Sequence, residues 1–144
     1  MASAIDENYL APELDSIIST FALSRFSIAL IWIYHGLVPK ILFRHVSELE
    51  LVAMGPIFVD AELTIVIAGV VEVSIGLLVL IFWKQVWPIV ISLAGFSVLL
   101  LGAIALSPEL AIQAFNPVTL TVSAIMFCLI QFQEMKKCAQ ASDE

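Results

Sequence analysis

The stretch AELTIVIAGVVEVSIGLLVLIFW, residues 61–83, is apolar apart from Glu62, Glu72 and small hydroxyl side chains. A helix needs about 20 predominantly apolar residues to cross about 30 Å of hydrocarbon, and this stretch is long enough. The residue before it favours a helix start, since an aspartate such as Asp60 can accept hydrogen bonds from the first turn. The segment therefore predicts a transmembrane helix.

Three further runs of the same kind lie at residues 17–38, 86–106 and 116–133. Pro39 is expected to end the first run, because proline disrupts the interior of an α-helix. At the fourth run, Asn116 can cap the helix and Pro117 suits its first turn. The chain is thus predicted to have four membrane-spanning helices and no competing strand pattern.

The connections between these runs predict their arrangement. The turn at Lys84 and Gln85 is very short, and short turns place consecutive helices side by side and antiparallel. The expected fold class is an all-α, integral membrane four-helix bundle over residues 17–133. The acidic segment 1–16 before it lacks the basic start and early apolar run of a secretory signal, and the tail after it, 134–144, is polar.

Composition agrees with a membrane location. Hydrophobic residues make up 61% of the chain and charged residues 13%, against about 45–50% and about 25% in soluble domains. The mean hydropathy is +1.05. The net charge of −7, from 13 acidic and 6 basic residues, disfavours nucleic acid as a partner. The lipid bilayer is the partner that composition predicts.

The orientation in the membrane can be predicted from the basic residues, because lysine and arginine are more frequent in short loops on the cytoplasmic side. The side that holds both termini carries Lys84, Lys136 and Lys137, and Arg25 joins them if its side chain extends that way. The opposite side carries Lys40 and Arg44. Both termini are therefore expected in the cytoplasm. The mostly apolar connection 41–59 is expected to lie in the membrane interface and cap the opposite end of the bundle.

The chain has two cysteines, Cys128 and Cys138. Ten residues of helix separate them by about 15 Å, which is too far for a disulfide. Both are expected to be free thiols. Neither has a partner at CxxC spacing, which disfavours a quinone reductase that oxidises thiols.

Three ionisable residues are predicted at membrane depth: Arg25, His35 and Glu72. Charges there are costly unless paired or hydrated, and they often mark functional sites. Glu72 shares a helix face with small residues that permit close helix packing, namely Ala61, Ala68, Gly69 and Gly76. Glu72 is therefore expected to point into the bundle and pair with Arg25. Such a pair could fix helix register or serve a ligand or proton, and both interpretations stay open.

Histidine and aromatic residues leave further alternatives. His35 could transfer a proton, hydrogen-bond a quinone carbonyl, or simply be satisfied by a backbone carbonyl. His45 is the only other histidine, so haem held by two histidines on facing helices is a poor match, and no cluster has the ligand spacing of a metal site. Phosphate-binding and nucleophile motifs are absent too, so no catalytic residue is predicted. An interfacial aromatic belt is predicted from Trp32, Tyr34, Trp83 and Trp87.

Three segments together resemble the DoxX-like family of small four-helix bacterial membrane proteins. They are RFSIALIWIYHGLVPKILF (25–43), VVEVSIGLLVLIFWKQVWP (70–88) and AFNPVTLTVSAIMF (114–127). By position, the residues that match the family are Arg25, His35, Lys40, Glu72, Asn116 and Pro117. The resemblance implies a multi-pass protein of the bacterial inner membrane.

The resemblance also implies a function class. Relatives of DoxX type are associated with thiosulfate:quinone oxidoreduction, and DoxX-like segments also occur attached to nucleotide-dependent dehydrogenase or epimerase domains. We therefore expect a membrane subunit of a redox system that binds a quinone or another lipophilic molecule near Arg25, His35, Lys40, Glu72 and Asn116. A soluble oxidoreductase would be its partner. The alternative is a non-enzymatic scaffold or small transporter, and a homo-oligomer stays open in either case.

Overall fold

The computed structural model describes residues 7–53, 60–106, 108, 112 and 116–143, with side chains from residue 20 onward except for Leu51 and residues 141–143. Throughout these ranges the ordered elements are helices. They are α1 (Glu7–His35), a π-helix (Gly36–Leu42), α2 (Val46–Ala53), α3 (Ala61–Ile81), α4 (Trp87–Leu106) and α5 (Pro117–Asp143). The predicted all-α class is confirmed.

Four helical segments are long and apolar enough to cross a membrane: Thr20–Leu42, Ala61–Ile81, Trp87–Leu106 and Pro117–Gln140. Their outer faces carry many exposed large apolar side chains, such as Leu30, Ile67 and Val98. Lipid tails can solvate these faces at no hydrophobic cost. The protein is therefore a membrane-embedded four-helix bundle, as the sequence predicted.

Two of the predicted helix starts are capped as expected. The carboxylate of Asp60 accepts a hydrogen bond from the Leu63 backbone N–H at 3.4 Å, before α3. The Asn116 side-chain oxygen accepts one from the Thr119 N–H at 2.7 Å, before α5. Pro117 is the first residue of α5, where its missing N–H costs nothing. Local sequence chemistry thus fixes both starts.

The prediction that Pro39 ends the first helix is wrong. The chain continues past it as the π-helix Gly36–Leu42, in which the Phe43 N–H donates to the Val38 carbonyl at 3.1 Å. An α-helix would bring the proline ring against the carbonyl four residues earlier, whereas the wider π turn avoids that contact. Lys40 lies within the π-helix and is buried.

Helices α1 and α5 extend beyond their predicted spans. Helix α1 begins at Glu7, within the acidic segment predicted at 1–16, whose first six residues lie outside the described ranges. Helix α5 continues to Asp143, through most of the tail predicted at 134–144. No proline or glycine follows Pro117 in the sequence, so nothing in the tail interrupts the helix.

Helix α1 lies at the centre of the bundle, where it packs against both α3 and α5, while α4 packs mainly on α5. Glycines allow the closest approach of α1 and the π-helix to α3: a Cβ on Gly69 would lie 2.7 Å from the Gly36 carbonyl oxygen, and one on Gly76 would lie 2.9 Å from the Ala29 carbonyl oxygen. The small-residue face of α3 therefore points inward, as predicted.

Trp32 does not belong to an interfacial belt. Its ring is 2% exposed and stacks on Phe96 at 4.3 Å between ring centroids. Trp32 follows Ala29 by three residues on the inward face of α1, which explains its burial in the core. Tyr34 and Trp87 are exposed, in keeping with the predicted belt.

Candidate functional site

A cavity of about 1070 Å³ lies among the helices at the end of the bundle where α1 ends and α5 begins. Helices α3 and α4 contact each other sparsely, and the cavity lies between the amino-terminal half of α3 and the carboxyl-terminal half of α4. Its walls combine apolar and polar side chains. The apolar ones include Ile65, Ala68, Leu99, Ala103 and Leu120, and the polar ones include His35, Lys40, His45, Glu48, Glu72, Asn116, Thr119, Thr121 and Ser123.

Four of the five candidate residues from the sequence thus line one cavity: His35, Lys40, Glu72 and Asn116. They come from α1, the π-helix, α3 and the start of α5. The fifth, Arg25, lies at the other end of the bundle. The polar stretch around His35 and Lys40 therefore contributes to a shared site, and Arg25 is separate from it.

Lys40 and Glu72 form a buried ion pair, in which the Lys40 ammonium donates to Glu72 Oε1. The Lys40 and Glu72 side chains are only 9% and 8% exposed. Lys40 also lies 3.8 Å from Glu48 Oε2, across the cavity mouth on α2. Glu72 Oε2 is buried and has no hydrogen-bond partner among the described residues.

The predicted pairing of Arg25 with Glu72 is wrong. The guanidinium of Arg25 extends to the carboxyl end of α3, where it donates to the carbonyl oxygens of Val79 at 3.1 Å, Phe82 at 3.1 Å, Gln85 at 2.7 Å and Trp83. The last carbonyls of a helix lack partners within the helix and carry partial negative charge, so they attract a buried cation.

The surroundings of Arg25 support a structural role. Its guanidinium carbon lies 5.5 Å from the centroid of the Phe21 ring and 5.9 Å from that of Trp83. Both are within the range of cation–π attraction. Arg25 thus connects α1 to the turn between α3 and α4. Its side chain extends toward the side of the bundle that holds both termini, as the orientation prediction assumed.

His35 is half-buried and connects the large cavity to a small one of about 20 Å³. The small cavity is also lined by Trp32, Phe96 and Thr121. A volume of about 10–15 Å³ suffices for one water molecule. The indole N–H of Trp32 is buried without a hydrogen-bond partner in the described part of the chain.

Hydroxyl groups on α5 form one wall of the large cavity. The Thr119 hydroxyl donates to the Asn116 carbonyl at 3.2 Å, that of Thr121 to the Pro117 carbonyl at 2.7 Å, and that of Ser123 to the Thr119 carbonyl at 2.8 Å. Each hydroxyl proton is therefore engaged by the helix itself. The oxygen lone pairs remain to meet a ligand.

Sequence reasoning missed several polar residues. Thr119, Thr121 and Ser123 were detectable, because they place three hydroxyls within five residues of an apolar helix. Glu48 gave no signal, since its place beside Lys40 depends on how α2 folds back.

A buried hydrogen bond at the Arg25 end of the bundle joins α1 to α5. The Ser24 hydroxyl donates to Gln131 Oε1 at 2.6 Å.

The two cysteines are free, with Cys128 buried and Cys138 exposed. Within the residues that the structure describes, no group of three or more His, Cys, Asp or Glu side chains lies close enough to hold a metal ion. The groups available to a ligand are therefore the ion pair, the two histidines, Glu48 and the polar groups of α5.

Comparison with known proteins gives one informative match. No curated protein and no solved structure matches the chain. The sequence model of the DoxX-like family matches residues 29–129, which is more than two thirds of the sequence and contains every cavity residue named above. The chain therefore belongs to the DoxX-like family.

Proposed function

We propose that this protein binds a quinone-like or other lipophilic small molecule in the large cavity and serves as the membrane subunit of a redox system. The observation that carries the proposal is the cavity itself. It combines apolar walls with a charged pair, Lys40 and Glu72, at membrane depth. Ionisable side chains within membrane helices are costly to bury, and they often line ligand or proton pathways.

The cavity suits such a ligand in size and polarity. Ligand pockets commonly measure about 300–1,000 Å³ and place a few polar groups in a mostly apolar lining. This cavity is open to its surroundings and measures about 1070 Å³, slightly above that range. Leu99, Ala103 and Leu120 would contact the apolar part of the ligand, and Lys40, Glu72 and His35 would face its oxygen atoms.

The chemistry needs a partner. A quinone accepts two electrons and two protons to become the hydroquinone, and a separate soluble oxidoreductase would supply the electrons. Glu72 and His35 are the cavity groups suited to exchange the protons, because a carboxylate and an imidazole can each release and regain one. We place the protein in the bacterial inner membrane with both termini in the cytoplasm.

A scaffold or small transporter is the alternative function. It is favoured by the position of the ion pair beside the Gly36–Gly69 contact, where the pair could hold α3 in register with the π-helix. As a scaffold, the protein needs no ligand in the cavity, whereas a transporter would use the cavity as a path. Blocking the cavity therefore separates ligand binding from a scaffold role.

The test uses the purified protein in lipid nanodiscs and a decyl-substituted 1,4-benzoquinone. Ala103→Trp places a large ring in the cavity, and Ala105→Trp, at an exposed position on the same helix, is the matched control. We expect saturable binding to the natural chain and the control, and at least a tenfold loss with Ala103→Trp. Binding that is absent from the natural chain, or equal in both variants, would contradict the proposal.

A further inference from the structure

Two carboxylates and the three hydroxyl oxygens of α5 line the cavity as hydrogen-bond acceptors, against the donors of the Lys40 ammonium and the Asn116 amide. From this imbalance, and resting on the proposed function, we infer that the site binds the reduced, dihydroxy form of a quinone-like molecule in preference to the oxidised, dicarbonyl form. The two forms share ring and tail and differ in hydrogen bonding. Hydroxyl groups donate to acceptors, whereas carbonyl oxygens only accept.

The α5 wall supplies the first group of acceptors. The hydroxyl protons of Thr119, Thr121 and Ser123 are engaged by backbone carbonyls of their own helix. A hydroxyl has one proton and two lone pairs, so these oxygens can still accept a hydrogen bond from a ligand. A carbonyl oxygen placed against them would meet like partial charge, and a ligand hydroxyl would find a partner.

The charged groups of the cavity also offer more hydrogen-bond acceptors than donors. Two carboxylates, Glu48 and Glu72, line the cavity with one ammonium, that of Lys40. The ammonium is already bonded to Glu72 Oε1 and lies 3.8 Å from Glu48. Glu72 Oε2 has no hydrogen-bond partner in the described part of the structure. A donor from the ligand would satisfy this oxygen once the carboxylate turns it toward the cavity.

The two histidines favour neither form of the ligand. A neutral imidazole has one donor and one acceptor, so His35 and His45 can serve either form of the ligand. Nδ1 of His45 lies 2.8 Å from the Ser47 hydroxyl and is partly engaged already. The preference therefore comes from the carboxylates and from α5.

A preference for the reduced form has a redox consequence. Binding the hydroquinone more tightly than the quinone makes the bound quinone easier to reduce. Each tenfold of preference raises the two-electron potential of the bound couple by about 30 mV. The site would thus help a weakly reducing partner to transfer its electrons.

The test compares three probes that share ring and tail, under argon, on the protein in nanodiscs. They are decyl-1,4-benzoquinone, its hydroquinone, and the dimethyl ether of that hydroquinone, which keeps the oxygens but has no donor. We expect the hydroquinone to bind at least tenfold more tightly than either of the others. Thr121→Val removes one acceptor at nearly constant shape and should lower that preference about threefold.

Two further variants complete the test. Ser74→Ala is the matched control, because that hydroxyl lies on the exposed face of α3, where it donates to the Val70 carbonyl at 2.7 Å. It should leave the preference unchanged. Glu72→Gln replaces one acceptor oxygen by an amide NH2 donor and removes one negative charge beside Lys40, so it should shift the preference toward the oxidised form.

The outcomes distinguish this inference from the function on which it rests. If none of the three probes binds, the proposed function fails. If the quinone or the dimethyl ether binds as tightly as the hydroquinone, the proposed function stands and the inference is overturned. A preference that survives both Thr121→Val and Glu72→Gln unchanged also overturns it.

Discussion

Replacing Lys40 by methionine should destabilise the protein more than replacing Glu72 by methionine. The structure makes the pair asymmetric. Lys40 is the only basic side chain within ion-pair distance of Glu72 among the described residues, whereas Lys40 has a second carboxylate, Glu48, at 3.8 Å. Lys40→Met leaves Glu72 buried without a counter-ion, and Glu72→Met leaves Lys40 able to approach Glu48.

The magnitudes follow from the burial of the pair. Leaving a buried charge uncompensated costs about 3–5 kcal/mol in soluble proteins, and we expect Lys40→Met to reach the lower part of that range. Glu72→Met should cost about half as much, because Glu48 compensates the ammonium in part. An ordinary interhelical hydrogen bond in a membrane protein contributes only about 0.6 kcal/mol, so the two effects are separable by measurement.

The double variant with methionine at both positions should recover most of the lost free energy of unfolding. It removes both charges and retains apolar side chains of similar volume, which for buried ion pairs is often neutral or stabilising. The assay is equilibrium unfolding in mixed micelles with increasing SDS, followed by circular dichroism. A larger loss for Glu72→Met than for Lys40→Met, or a double variant whose loss equals the sum of both, would refute this reasoning.

Arg25→Met should lower the free energy of unfolding by about 3 kcal/mol or more, because several carbonyls at the end of α3 and in the α3–α4 turn lose the donor that they share; an unchanged unfolding midpoint would contradict the structural role. Gly69→Ala should destabilise the bundle, since its Cβ would lie 2.7 Å from the Gly36 carbonyl oxygen, whereas Gly102→Ala meets no atom within 4 Å and is the control for the same SDS titration. Cys138, which is exposed on α5, should react with a membrane-impermeant maleimide only in inside-out vesicles. Labelling of Cys138 in intact cells would show that the predicted orientation is wrong.

The fold was predictable because its determinants are local. Apolar length marks each membrane helix, and Asp60 and Asn116 mark two helix starts through their own side-chain hydrogen bonds. The continuation past Pro39 was not predictable in the same way. It depends on a change to π-helical pitch, which leaves no periodic signature in seven residues.

The site was predictable in part. His35, Lys40 and Asn116 were predicted as ligand-binding candidates, and all three line the cavity. The partner of Glu72 was missed for a physical reason. The predicted pair considered side chains only, whereas Arg25 is satisfied by backbone carbonyls at the end of α3, and Lys40, in the π-helix, pairs with Glu72.

Photo-crosslinking tests most directly whether the cavity binds a ligand. The probe is a hydroquinone that carries a diazirine on its alkyl tail, and the labelled peptides are identified by mass spectrometry. We expect adducts on the cavity walls, at Leu99, Ala103 or Leu120, and their loss when unlabelled hydroquinone is added in excess. Adducts confined to lipid-facing residues such as Leu30 and Val98, unaffected by the competitor, would contradict the claim that this cavity is a ligand site.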